Sequence, residues 1–112
     1  TNPPQKVRVL KVEEKGSDVN LAAHMLWDGF RRDYECSVVV SNDSDLLEPI
    51  RIVRRELGIP VGVINPRPEI PSAVLLQHAS FFKKLRRGLL AKCQFSNPMV
   101  DHKGEFHKPS SW

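Results

Sequence analysis

The chain has 112 residues, 40% hydrophobic and 27% charged, with a net charge of +4. That size supports one domain with one modest core, and the apolar runs are too short to cross a membrane. No apolar signal-peptide region opens the sequence, and Cys36 and Cys93 match no zinc spacing, so a reduced, cytoplasmic protein is the simplest reading.

The sequence lacks an initiator Met and reads as a segment of a longer protein. Residues 7–12 alternate apolar and basic side chains, slip at Leu10, and predict a strand with one face less buried. A polar turn follows, and Ser17 or Asp18 can then cap a helix. Val19, Ala22, Ala23, Leu26 and Phe30 recur at helical spacing and predict its buried stripe. Asn20, His24, Asp28 and Arg31 fall on the opposite arc. Residues 36–40 predict a buried strand that Cys36 begins. Residues 46–57 predict a helix burying Leu46, Leu47, Ile50, Val53 and Leu57. Pro49 falls harmlessly in its first turn, and Gly58 supplies a stop. Residues 61–64 predict another short strand, and 65–71 a proline-rich loop. Residues 73–77 form a helical turn, 79–85 fit either a strand or a helix, and 88–93 look helical. The polar tail 96–112 reads as extended. Trp112, stiffened by Pro109, is expected to anchor in an apolar groove.

Strands alternating with helices argue for βαβ units and a parallel sheet. Right-handed crossovers then place the acidic turns on one sheet edge. Ligands bind at the carboxyl ends of such strands, which is where Ser41-Asn42-Asp43-Ser44-Asp45 falls. Asp43 and Asp45 repel each other, and a divalent cation relieves that repulsion. Asp45 also reads as the N-cap of a capping box with Glu48, and Asp18 as an N-cap. Ser41 and Ser44 are placed to hydrogen-bond these carboxylates or a phosphate, although turn chemistry explains them equally well. Carboxylates without nearby thiols or imidazoles suit Mg²⁺ or Mn²⁺. Such ions activate a water and stabilise both oxygens of a phosphoryl displacement. The basic excess, including Lys83, Lys84, Arg86 and Arg87 and the helical Arg51, Arg54 and Arg55, fits a phosphodiester substrate and fits a solvated basic face equally well.

Two segments resemble the NYN domain family of the PIN-like nucleases. One is Glu14-Lys15-Gly16-Ser17-Asp18-Val19-Asn20-Leu21-Ala22. The other is Cys36-Ser37-Val38-Val39-Val40 followed by Ser41-Asn42-Asp43-Ser44-Asp45-Leu46 and then Pro49. The resemblance is clearest over residues 7–64 and weaker to about residue 92. It implies a PIN-like three-layer α/β/α fold with a central, mostly parallel sheet. It implies a single NYN/PIN-like domain over 1–112, with 96–112 as a tail. It also implies a metal-dependent ribonuclease acting on RNA. Asp18, Asp43 and Asp45 match the family's metal-binding acids. Lys15, Ser41, Asn42 and Arg51 are the expected RNA contacts.

Two departures stand out. The family's first acid normally ends its first strand, and no apolar strand ending in Asp precedes Val7. His24 stands where members carry an acid further along the first helix. A sheet lacking that first strand exposes an edge, which predicts self-association. Two other functions fit the sequence. One is an RNA-binding module that is catalytically incomplete. The other is an acidic α/β phosphatase of the haloacid dehalogenase type, which needs a nucleophilic Asp that is not visible.

Overall fold

A computed structural model describes residues 3–67 and 70–111. Helix α1 spans Ser17–Phe30, strand β1 Ser37–Val40, helix α2 Leu47–Arg55 and strand β2 Val61–Asn65. Helix α3 (Ala73–His78), strand β3 (Phe81–Lys84) and helix α4 (Arg87–Lys92) follow, then strands β4 (Met99–Asp101) and β5 (Gly104–Phe106). A 3-10 turn, Ser44–Leu46, leads into α2.

β1, β2 and β3 form a parallel sheet in that order, with Val39 level with Val63 and Val63 level with Phe82. This is the α/β architecture that strand-helix alternation predicts. Successive right-handed crossovers in one direction lay their helices on one face. The core sits on that face: Met25, Val39, Leu46, Ile50, Val53, Ile59, Val61, Val63 and Leu75 are buried together. Their spacing explains α2, where Leu46, Ile50 and Val53 point inward while Arg54 and Arg55 stay outside. Gly58, with φ +68°, ends the helical run as expected. Residues 79–85 resolve as strand β3. On the sheet's other face, Val38 and Val40 of edge strand β1 remain 50% and 58% exposed.

Several expectations are corrected. Residues 7–12 form no strand, and Val7, Val9, Leu10 and Val12 are exposed. The slip at Leu10 puts apolar side chains on both faces of any strand drawn through this segment, and a strand without partners does not persist. The buried stripe of α1 is Met25 and Gly29 with partly buried Ala22 and Leu26, while Val19, Ala23 and Phe30 face solvent. Gly29 sets this rotation, because only a residue without a Cβ lets the Tyr34 ring and Leu57 come so close. Tyr34 Oη then donates to the Met25 carbonyl at 2.5 Å. Cys36 is exposed and precedes β1, which begins at Ser37. The tail folds locally into the antiparallel β4–β5 hairpin. The expected Trp112 anchor lies outside the described residues. Among those residues, no helix is long and apolar enough to cross a membrane.

Candidate metal centre

Parallel strands end on one edge, so the turn after β1 and the chain after β2 lie side by side. A cleft of about 490 Å³ opens there, lined by Asp18, Val40, Ser41, Asn42, Asp43, Ser44, Pro66 and Arg67. It joins the first turn of α1 to the ends of two strands.

The start of α1 differs from the expected cap. Neither Ser17 nor Asp18 caps the helix. Gly16 holds the N-cap position at φ +84°, a left-handed conformation that favours glycine. The Glu14 carboxylate accepts the Ser17 backbone N–H at 2.7 Å instead. Asp18 is thus released from capping and lines the cleft.

The acidic turn also differs by one step. Asp43, not Asp45, is the cap: its Oδ1 accepts the Asp45 backbone N–H at 2.9 Å. A 3-10 turn over Ser44–Leu46 precedes α2, which moves the first cap position back to Asp43. Glu48 does not complete a capping box with Asp45 but pairs with Arg51. Ser41 Oγ accepts the Asp43 N–H at 3.0 Å, tightening the turn from the other side.

Asp18 and Asp43 are brought together. Partial loss of hydration raises the Asp18 pKa above the ordinary carboxyl value. The charges of Asp43, Glu14 and Asp45 and a hydrogen bond with Asp43 act in the same direction. Asp45 therefore contributes charge to the site but does not line the cleft. Among the described residues, no three His, Cys, Asp or Glu side chains converge closely enough to hold a cation unaided. Two neighbouring carboxylates still fit Mg²⁺, which keeps several waters and takes one or two carboxylates together with substrate phosphate oxygens.

The other expected residues divide. Ser41 lines the cleft. Asn42 lines it too, but its amide ties the turn to the chain before α3: Oδ1 accepts the Ser72 N–H at 2.8 Å and Nδ2 donates to the Ile70 carbonyl at 3.4 Å. Arg51 lies on α2, held by Glu48, away from the cleft lining. Lys15 is exposed just before α1, and His24 is exposed on α1, outside the cleft lining. Arg67 was not singled out in the sequence. It follows the end of β2 by two residues, and the rule that ligands meet the carboxyl ends of strands would have found it. Asn65, fully buried at that strand end, accepts the Arg67 backbone N–H at 3.0 Å through Oδ1.

The solved structure of a protein of unknown function, VPA0982 from Vibrio parahaemolyticus RIMD 2210633, superimposes with a TM-score of 0.59 at 19% identity. The match covers 76% of this chain and 51% of that one, and it supports the fold alone. The 6-hydroxy-3-succinoylpyridine 3-monooxygenase HspA of Pseudomonas putida (strain DSM 28022 / S16) is 30% identical over 112 residues. That match covers 96% of this chain and 36% of the relative, so the chain spans about a third of that protein's length. The NYN domain family model matches residues 2–86, which include both carboxylates of the cleft and all three parallel strands, and the chain belongs to that family.

Proposed function

We propose that this chain supplies the ion-binding carboxylates of a metal-dependent endoribonuclease centre that cleaves RNA phosphodiesters. The observation that carries this reading is the meeting of Asp18 and Asp43, from two separate elements, in one cleft that Arg67 also lines. Like charges held together destabilise the empty fold, and a divalent cation relieves them. The oxygen-rich donor set suits Mg²⁺ or Mn²⁺. When bound, such an ion neutralises charge on the phosphodiester and polarises it as a Lewis acid. Asp18 and Asp43 hold it, Asp45 adds negative charge beside them, and Arg67 offers a cation to a substrate phosphate. Ser41 fixes the backbone of the turn so that Asp43 keeps its position. Free, exposed Cys36 and Cys93 fit a reducing compartment, and we place the protein in the cytoplasm on that ground.

RNA cleavage in Mn²⁺ by the intact protein and its Asp43→Asn variant tests the reading. Cleavage that disappears in the variant supports it, and an unchanged rate removes it. RNA binding that persists in EDTA without any cleavage would leave the non-catalytic module.

The 30% identity to a monooxygenase favours one further reading, hydroxylation of an aromatic ring. That reaction consumes O₂ and two electrons. Oxygen uptake with a hydroxypyridine and a two-electron reductant, insensitive to Asp43→Asn, would select it.

A further inference from the structure

Residues 70–100 contain five cations, Lys83, Lys84, Arg86, Arg87 and Lys92, and not one Asp or Glu. None of Lys83, Lys84, Arg86 and Arg87 has an ion-pair partner among the described residues. Three of them, with Phe82, line a groove of about 460 Å³ at the end of β3. Lys83 lies in the row of Ile64 and Val40, and Lys84 lies in the row of Asn65. The Ser41 N–H bonds to the Ile64 carbonyl, so Ser41 is one residue beyond Val40 and level with Asn65. The groove therefore stands on the same sheet edge as the acidic turn, two strands away. At about 4.8 Å per strand, that is roughly 10 Å. A short run of single-stranded backbone spans that gap.

We propose that the Lys83–Lys84–Arg86 groove is a phosphate-binding track for single-stranded RNA, leading the strand across the sheet edge into the Asp18–Asp43 cleft. The proposal rests on the ribonuclease reading for its destination. Cations without carboxylate partners keep their full charge for a polyanion, and Arg86 adds a guanidinium fork that matches phosphate geometry. An aromatic pair precedes the basic residues in the run Phe81-Phe82-Lys83-Lys84-Leu85-Arg86-Arg87, and the ring of partly buried Phe82 lines the groove beside the cations. Stacking surfaces beside a basic groove suit a single strand, whose bases are free to stack, over a duplex.

The experiment is binding of a labelled single-stranded RNA oligomer in EDTA across a salt series. It compares wild type, the triple variant Lys83→Gln, Lys84→Gln, Arg86→Gln, and Asp43→Asn. These three basic side chains are exposed, so the triple variant keeps the fold. The charge-preserving variant Lys83→Arg, Lys84→Arg, Arg86→Lys controls for shape. The triple Gln variant is expected to bind more weakly, with a log–log salt slope shallower by about 2, since each single-strand phosphate contact contributes about 0.7. The charge-preserving variant is expected to keep the wild-type slope. A wild-type slope in the triple Gln variant, or no wild-type binding at low salt, overturns the track. Equal affinity for a duplex overturns its single-strand assignment. Unchanged cleavage by Asp43→Asn instead removes the ribonuclease reading and leaves the groove's binding result standing.

Discussion

Asp43 Oδ1 accepts the backbone N–H of Asp45 at 2.9 Å while the same carboxylate acts on Asp18 across the cleft. One side chain serves both the fold and the site, and two substitutions separate those roles. Asn caps a helix as well as Asp does. Asp43→Asn is therefore expected to hold stability within about 0.5 kcal/mol while abolishing Mn²⁺ binding. Asp43→Ala loses the cap as well, at about 1 kcal/mol. Thermal melts with and without Mn²⁺ read both effects. Wild type is expected to gain about 2.7 kcal/mol at an ion concentration of 100 times Kd. A shift retained in Asp43→Asn would reduce this carboxylate to a cap.

Glu14 and Asp18 are expected to respond to pH with opposite signs. The hydrogen bond from Ser17 holds the Glu14 carboxyl below its ordinary value of 4.5. Its contribution is present above that value and is lost as pH falls through the lowered one. Asp18 is raised above 3.8. Its charged form is disfavoured, so stability it lends at low pH is lost as pH rises through the raised value. In metal-free melts from about pH 3 to about pH 7, Glu14→Gln should destabilise only at the upper end, and Asp18→Asn should stabilise only there. Parallel behaviour of the two variants would contradict this.

Gly29 and Tyr34 form a matched pair. A Cβ at Gly29 would meet Tyr34 Oη at 2.5 Å, and that hydroxyl is bonded to the Met25 carbonyl. Ala is the better helix former by about 1 kcal/mol, yet Gly29→Ala is expected to destabilise, because the clash displaces the ring and its hydrogen bond. Tyr34→Phe alone should cost about 1 kcal/mol. In the Tyr34→Phe background the Gly29→Ala penalty should shrink by at least about 0.5 kcal/mol, which a double-mutant cycle in denaturant measures. Strict additivity would show that the hydroxyl is not the obstacle.

Asn42→Ala is expected to destabilise by roughly 1–2 kcal/mol, since it leaves the Ser72 N–H and the Ile70 carbonyl without their side-chain partner. Asn42→Asp keeps the acceptor for Ser72 and should recover part of the loss. Equal stability of wild type and Asn42→Ala would reassign this side chain to ligand contact alone.

The legible parts of the fold are those where burial is decisive. β1, α2 and β2 were readable because Val39, Ile50, Val53, Val61 and Val63 leave little choice of face. Helix α1 was legible as a helix but not in its rotation. Its arcs 19-22-23-26-30 and 22-25-26-29 overlap, and only the close approach of Tyr34 to Gly29 selects the second. Residues 7–12 show alternation without a strand, because pairing is a property of two segments and pattern reports one. The acidic turn was visible in its motif, but which acid caps it depended on a 3-10 start that composition does not encode. Arg67 was missed because it carries no local motif and reaches the site only through topology.

The Asn42 amide joins the acidic turn to the chain at Ile70 and Ser72 through both of its ends. Ile70 and Ser72 lie outside the cleft lining, so the amide braces the acidic turn from behind rather than spanning the opening. The turn and the start of α3 are thereby coupled, and shifting one against the other means breaking both bonds together.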